Sequence, residues 1–257
     1  MKHQEYFYVS PEGIDGEQIE IRGDELKHLS IVRRKKSTDI VHIVDGRGTL
    51  YTVHLEHIGR QVARGRVQKR QRYAGEPNFH LTLVQAMPKG SKFDLVIEKG
   101  TEIGVSKFIP LITRRSVVDA GHAKPTRWKN VAIAAMKQCA RSMLPEITPP
   151  VDFDAFMDKS PICDFQLIGH GADSAGSLSE IIESRRERLS AISRFKSGII
   201  LIGPEGGFTE EEVRKAAELN FQPFSLGARR FRSETAGIVA SAIIMEFMEN
   251  FMSAGSK

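Results

Sequence analysis

Apolar segments of strand length alternate with segments of helical periodicity throughout residues 74–257, and this alternation constrains the fold more than any other feature. The predicted strands are residues 79–86, 107–113, 165–169, 198–202 and 222–226. Strands that alternate with helices pair in parallel, so the pattern predicts an α/β domain with a mostly parallel sheet. Ligands of such sheets bind at the carboxyl ends of the strands, where loops lead into the helices.

Apolar residues between these strands recur at spacings of three and four, which is typical of helices with one buried face. One set follows the first predicted strand, and others follow the second and third. A fourth helix is predicted from Thr209 and a fifth over residues 236–251. The three periodic sets are Phe93, Val96, Ile97, Gly100 and Ile103; Trp128, Val131, Ala135 and Cys139; and Leu178, Ile181, Ile182 and Leu189.

Residues 1–73 have a different, β-rich pattern. Tyr51, Val53 and Leu55 alternate with polar residues, as in a strand with one wet face, and the glycines of residues 45–48 indicate a hairpin turn before it. A small barrel or sandwich fits this pattern. The composition changes near residues 72–77, so we predict one domain over residues 1–73 and a second over residues 74–257.

The basic residues of the first domain form two runs. Arg33, Arg34 and two lysines make the first, and six cations between Arg60 and Arg72 make the second, in which residues 57–73 contain no acid. Charge runs are usually solvated surface. Repeated cations on one small domain also suit contacts with nucleic-acid phosphates, and the net charge of +5 agrees with such a partner.

Several functional classes are disfavoured by composition. No apolar run reaches the roughly 18 residues needed to cross a bilayer, and no signal peptide is recognisable, so we expect a cytoplasmic protein without a membrane partner. The two cysteines lie far apart and the eight histidines are scattered. We therefore expect neither a disulfide framework nor a metal site.

A glycine-rich segment, residues 202–207, joins the fourth predicted strand to a predicted helix. Thr209 and Glu212 have the spacing of a capping box at the start of that helix. Gly206 and Gly207 tolerate positive φ and leave the backbone open to close approach. The segment is therefore either a tight connection or a ligand loop, but it matches neither phosphate-binding glycine pattern.

Two further loops follow predicted strands. One is Gly169-His170-Gly171, and the other, residues 225–235, contains three arginines and Glu234 close to a glycine. A helix beginning at Ser233 would place Glu234 in its first turn, which explains the carboxylate as part of a capped helix end. The density of charge exceeds what a cap requires, so we favour a functional loop.

At the level of whole blocks, "IGPEGGFTEEEV" and "SLGARRFRSETA" resemble the signature pair of the RsmE-type ribosomal RNA methyltransferases of the SPOUT superfamily. "FYV", "QAMPKGSKFDLVIEKGTEIGVSKFIPL" and "RWKNVAIAAMKQCARSMLPEI" agree in order, so the resemblance spans essentially the whole chain. Phe231 and Ser233 replace the family's usual leucine and threonine, and residues 37–39 replace a glycine-aspartate turn.

This resemblance implies an N-terminal PUA-like β-barrel that binds RNA, a C-terminal domain with a deep trefoil knot, and a homodimer. It implies transfer of a methyl group from S-adenosylmethionine to N3 of one uridine in the 16S ribosomal RNA, with the assembled small ribosomal subunit as the expected substrate. Two alternatives stay open, a related methyltransferase acting on another RNA and a non-catalytic RNA-binding assembly factor.

The resemblance also implies residue roles. Arg232 is the candidate for stabilising negative charge on the uracil carbonyls, and Glu234 is a candidate base, although an ordinary carboxylate is weak for that proton. The expected cofactor-binding residues are Gly169, Gly171, Ile202, Gly203, Pro204, Glu205, Gly206, Gly207, Ser225, Leu226, Gly227, Phe231 and Thr235. The expected RNA-binding residues are Arg33, Arg34, Arg64 and Arg66, which come from the two basic runs, and Lys89 and Arg141, which lie in the blocks that resemble the family.

Overall fold

The computed structural model describes residues 5–171, 175–184 and 197–254. The chain divides into two compact units. The first comprises Met1–Glu76 and Ala132–Leu144, and the second comprises Pro77–Val131 and Pro145–Lys257.

The first unit is built on a six-stranded sheet in the order β1-β4-β5-β6-β3-β2. All of its pairings are antiparallel except that between β1 and β4. A short helix, α1 (Gly23–Lys27), runs directly into a π-helical turn over His28–Val32. The strands are β1 (Tyr6–Tyr8), β2 (Ile14–Asp15), β3 (Gln18–Ile21), β4 (Ile40–Val44), β5 (Thr49–Ile58) and β6 (Ala63–Arg72).

The predicted alternation along β5 is confirmed. Tyr51, Val53 and Leu55 are buried in the core of this sheet, and the turn before β5 contains Gly46 and Gly48 with φ of +71° and +91°. Strand pairings in the described part leave β1 and β2 at opposite edges. Closure into a PUA-like barrel therefore stays a prediction.

The second unit has an eight-stranded sheet in which every pairing is parallel, as predicted. Its main path is β10-β8-β7-β13-β11-β14-β12, with β9 beside β8. The five predicted strands occupy the middle of this path. The strands are β7 (His80–Ala86), β8 (Lys107–Ile112), β9 (Glu146–Ile147), β10 (Val151–Asp152), β11 (Phe165–Gly169), β12 (Gly176–Ser177), β13 (Ser197–Ile202) and β14 (Gln222–Ser225).

The helices also follow the predicted periodicity. The expected last helix begins at Ser233, three residues before its apolar pattern, and Leu189 of the third periodic set lies outside the described residues. The remaining α-helices of the described residues are α2 (Lys92–Ile103), α3 (Pro125–Gln138), α4 (Phe153–Met157), α5 (Leu178–Ser184), α6 (Glu210–Glu218) and α7 (Ser233–Ala254).

A glycine inside α2 lets this helix lie close to the sheet. A Cβ on Gly100 would lie 2.6 Å from the ring of Phe108 on β8, far inside van der Waals contact. Glycine at this position therefore slightly destabilises the helix but allows the helix to pack closely against the sheet. The same helix also packs against α7.

The ion pair between Glu76 and Arg141 lies buried in the first unit, with side chains 6% and 4% exposed. One Glu76 oxygen accepts from Arg141 Nε and Nη2 at 3.1 and 2.9 Å, and the other accepts from the N–H groups of Ser142 and Met143 at 2.7 and 2.8 Å. This corrects the expectation that Arg141 meets RNA. Its guanidinium is enclosed, and the pair fixes Ala132–Leu144 to the segment that follows β6.

Replacement of Glu76 by Ala should lower the free energy of unfolding of the first unit by about 3 to 5 kcal/mol, because a buried guanidinium loses its carboxylate. Urea denaturation would be followed by the near-ultraviolet circular dichroism of the four tyrosines, all of which lie in this unit. Asp24→Ala, which removes an exposed partner of Lys27, is the matched control and should change stability little. Equal effects of the two substitutions would contradict the structural role of the buried pair.

Candidate active site

Three adjacent parallel strands, β13, β11 and β14, bring three predicted loops to one edge of the sheet. Their carboxyl ends are Ile202, Gly169 and Ser225, and Gly169 stands opposite Phe224 in the register. The N–H of His170 donates to the Phe224 carbonyl at 3.0 Å, which ties the first loop to the third strand. The expectation that these loops lie together is therefore confirmed for the described residues.

The loop after β13 is a tight turn followed by a capped helix. The Gly207 N–H donates to the Pro204 carbonyl at 2.8 Å, and Gly207 has a φ of +69°. The predicted capping box is present, since Thr209 Oγ1 accepts from the Glu212 N–H at 3.2 Å and Glu212 Oε2 accepts from the Thr209 N–H at 2.7 Å. The turn leaves Glu205 and Gly206 exposed and Pro204 buried.

The loop after β8 holds this turn from the side. Arg115 donates to the Gly206 carbonyl at 2.8 Å. The Arg114 N–H donates to Glu212 Oε1 at 3.0 Å, and its guanidinium pairs with Glu211, a hydrogen bond that raises the pKa of Arg114. Arg114 and Arg115 together therefore anchor the loop after β13.

The loop after β14 contains a second turn that only glycine makes easily. Gly227 has a φ of +101°, and its N–H donates to Ser225 Oγ at 3.1 Å. Arg232 precedes α7 and is exposed, and its guanidinium forms no ion pair with any other described residue. Phe231 is 37% exposed, so its ring borders open space.

Glycines around this edge fall into two classes. A Cβ on Gly171, Gly207 or Gly227 would meet no atom of the described residues within 4 Å, so these residues leave open space beside the backbone in all three loops. A Cβ on Gly203 would instead lie 3.1 Å from the Phe208 ring. Internal packing therefore accounts for Gly203, whereas the other three leave room for a ligand against the main chain, as the cofactor expectation requires.

The start of α7 is hydrogen-bonded to the loop after β13. Ser233 Oγ donates to the Gly203 carbonyl at 2.6 Å and accepts from Gln85 Nε2 at 2.8 Å. Gln85 is fully buried in β7. Sequence reasoning assigned Ser233 to a helix cap and missed Gln85, although one amide in the apolar run Leu-Val-Gln-Ala is a signal of a buried polar contact.

The carboxylate of Glu234 lies beside a lysine that sequence reasoning also missed. Its Oε1 is 3.3 Å from Lys92 Nζ, and Lys92 Nζ lies 3.7 Å from Oε1 of Glu205. Glu234 is 7% exposed at its side chain, and its Oε2 has no hydrogen-bond partner among the described atoms. Thr235 follows it, half-buried, and Leu226 is half-buried in the facing loop.

The candidate RNA-binding arginines of the first unit are mostly paired with acids from other strands. Arg64 Nε lies 2.8 Å from Glu20, and the hydrogen bonds from Arg64 and Arg22 lower the pKa of Glu20. Arg66 pairs with Glu56 at 3.0 Å. The acid-free run of the sequence is thus partly neutralised across the sheet.

Three further candidate RNA-binding residues differ in their exposure and in their ion pairs. Arg33 pairs with Glu5. Arg34 is exposed, has a φ of +50° and forms no ion pair within the described part of the chain. Lys89 is exposed and follows β7, whose carboxyl end lies at the same edge as that of β13.

Other chemistry-bearing groups lie apart from these loops. Burial raises the pKa of Cys139 and of Cys163, which lowers the thiolate fraction of both. Among residues 5–171, 175–184 and 197–254, no three histidine, cysteine, aspartate or glutamate side chains are grouped so as to hold a metal. Within the same ranges no helix has the length and apolar character to span a bilayer.

Comparison with known proteins identifies the family. The sequence-family model for the RNA methyltransferase domain matches residues 75–245 of this chain. The ribosomal RNA small subunit methyltransferase E of Synechocystis is 31% identical, over 94% of this chain and 77% of its own length. The Bacillus subtilis protein of the same name is 28% identical, over 87% of this chain and 88% of its own.

A solved structure agrees over nearly the same span. The ribosomal RNA small subunit methyltransferase E of Neisseria gonorrhoeae, crystallised with S-adenosylmethionine, superposes with a TM-score of 0.80 at 27% identity, covering 95% of this chain and 98% of that one. The parallel-sheet fold, the three loops and these matches lead to one conclusion: the chain belongs to the ribosomal RNA small subunit methyltransferase E family of RNA methyltransferases.

Proposed function

We propose that this protein transfers a methyl group from S-adenosylmethionine to N3 of one uridine in the 16S ribosomal RNA of the small subunit. The observation that carries the proposal is the open, glycine-rimmed edge of the parallel sheet, beside which the exposed Arg232 and the buried Glu234 lie. Relatives named for methylation of small-subunit ribosomal RNA match over most of the chain, and one of them was solved with this cofactor.

The three loops are the proposed cofactor site. Open space beside Gly171, Gly207 and Gly227 admits a ligand against the backbone, and the exposed Glu205 and the half-buried Ser225 supply polar groups at the same edge. S-adenosylmethionine, when bound, supplies a methyl group made electrophilic by a sulfonium. Gly169, Ile202, Gly203, Pro204, Gly206, Leu226, Phe231 and Thr235 complete the proposed lining.

Arg232 and Glu234 are the proposed catalytic residues. Loss of the N3 proton leaves negative charge on the uracil carbonyls, and a guanidinium without an ion-pair partner in the described chain is free to stabilise it. Glu234 is the candidate acceptor of the proton, although an ordinary carboxylate is a weak base for it. Holding the ring in line with the methyl donor is the larger contribution, because it replaces an encounter by a fixed geometry.

The finer architecture belongs to the same proposal. Residues 1–73 would form a PUA-like barrel that docks RNA, and residues 74–257 a SPOUT domain with a deep trefoil knot, acting as a cytoplasmic homodimer. The strand order is non-sequential, as the proposed arrangement requires, since β13 lies between β7 and β11 although β11 precedes it along the chain. A SPOUT enzyme for another RNA and a non-catalytic assembly factor are the alternatives.

The reaction is tested with small subunits purified from cells that lack this protein. Labelled methyl groups from S-adenosylmethionine should enter the 16S ribosomal RNA, and digestion should yield a single labelled nucleoside, N3-methyluridine. Stripped 16S ribosomal RNA and transfer RNA serve as competing substrates. Transfer to another nucleoside or another RNA would support the first alternative, and cofactor binding without any transfer would support the second.

Replacement of Arg232 by Ala should lower turnover at least about tenfold while leaving the affinity for S-adenosylmethionine largely unchanged, because the guanidinium acts on charge that develops during the reaction. Single-turnover transfer and calorimetric cofactor binding separate these quantities. Arg214→Ala, at an exposed arginine of α6, is the control. Weaker cofactor binding with normal turnover at saturation would refute the catalytic role.

RNA docking by the first unit should depend more on Arg34 than on Arg64. Arg34→Ala should weaken binding to all RNA sequences alike and reduce the slope of log affinity against log salt by about one. Arg64→Ala should reduce this slope less, because Arg64 already pairs with Glu20. Filter binding over a salt series measures both slopes. Unchanged slopes in both variants would exclude this surface as the docking site.

A further inference from the structure

Lys92, the first residue of α2, lies close to the carboxylates of two site loops. Its Nζ is 3.3 Å from Oε1 of Glu234 at the start of α7 and 3.7 Å from Oε1 of Glu205 in the loop after β13. We propose that Lys92 is a positioning residue of the active site, which holds Glu234 in its working orientation. This inference rests on the proposed function.

Glu234 needs such a partner because its side chain is only 7% exposed to solvent. Burial of a charged carboxylate is costly unless a countercharge or hydrogen bonds compensate. Oε2 has no hydrogen-bond partner in the described chain, so the contact between Oε1 and Lys92 is the main compensation beside the positive end of the α7 helix. An ammonium at this place therefore decides where the carboxylate points.

Lys92 reaches this place from outside the two loops. Its side chain is 35% exposed, so the ammonium lies at the border between the buried carboxylate and the open edge of the sheet. The hydrogen bond from Ser233 to Gly203 is a second link between the same loops. Because this hydrogen bond does not involve Lys92, loss of Lys92 should displace the Glu234 side chain and leave the main chain of the cofactor loops in place.

Displacement of the Glu234 side chain should slow the reaction. A displacement of about 1 Å in a group that aligns or deprotonates the substrate is enough to slow a reaction by about a hundredfold. Cofactor affinity, which depends on the backbone of the glycine loops, should change much less. Turnover and affinity should therefore separate when Lys92 is replaced.

Four variants test the role. Lys92→Met removes the ammonium and keeps the length of the side chain, and Lys92→Arg keeps the charge. The double variant Lys92→Met with Glu234→Gln removes both charges together. Lys99→Met is the matched control on the same helix, where the lysine pairs with Glu98 and Glu102 away from the site.

Each variant would be measured by melting temperature, by calorimetric affinity for S-adenosylmethionine and by single-turnover methyl transfer to small subunits. Lys92→Met should lower turnover at least about tenfold and change cofactor affinity by no more than about threefold. It should also lower the melting temperature, since a buried charge loses its partner. Lys92→Arg should recover most of the turnover.

The double variant tests whether the ammonium compensates the buried carboxylate charge. It should regain the melting temperature, because the uncompensated charge is gone, yet stay as slow as Lys92→Met, because an oriented carboxylate is still missing. Recovery of turnover together with stability would overturn the positioning role, as would normal turnover in Lys92→Met. No methyl transfer by the natural protein would overturn the proposed function, and this role with it.

Discussion

Parallel pairing of β13, β11 and β14 is the constraint on which the candidate site depends. Because all three strands run in one direction, the loops that leave them must emerge at one edge, however far apart they lie in sequence. The loops themselves contain little regular hydrogen bonding. They are held by single contacts, such as that from Ser233 to Gly203 and that from His170 to Phe224, so the sheet supplies the frame and a few side chains set the details.

Buried charge is distributed differently in the two units. In the first, Glu76 satisfies all of its acceptor positions with Arg141 and two backbone N–H groups, which is the arrangement expected of a structural pair. In the second, Glu234 has one oxygen near Lys92 and another without a partner. An incompletely satisfied carboxylate beside exposed glycine loops is more typical of a functional site than of a stabilising one.

Local pattern predicted the parts of the fold that depend on neighbouring residues. The five principal strands, the capping box at Thr209 and the helix start at Ser233 all follow from short-range spacing, and the structure confirms them. The strands of two residues, such as β12, are too short to carry a periodic signal. The return of Ala132–Leu144 to the first unit depends on Met136 packing beside Val44 and Leu50, which no local spacing reveals.

The site, like the fold, was predictable only where it depends on residues that are close together in the sequence. Glycines and charges within each loop were visible in the sequence, but their partners come from distant segments, as Gln85, Lys92 and Arg115 do. The basic run contains no acid in the sequence, but two of its arginines are not unpaired in the fold. Glu20 and Glu56 reach Arg64 and Arg66 once the strands pair. Among arginines that could meet RNA or charge developing in the substrate, those without an ion-pair partner in the described chain are the better candidates, and this criterion favours Arg232 and Arg34 over the paired arginines around them.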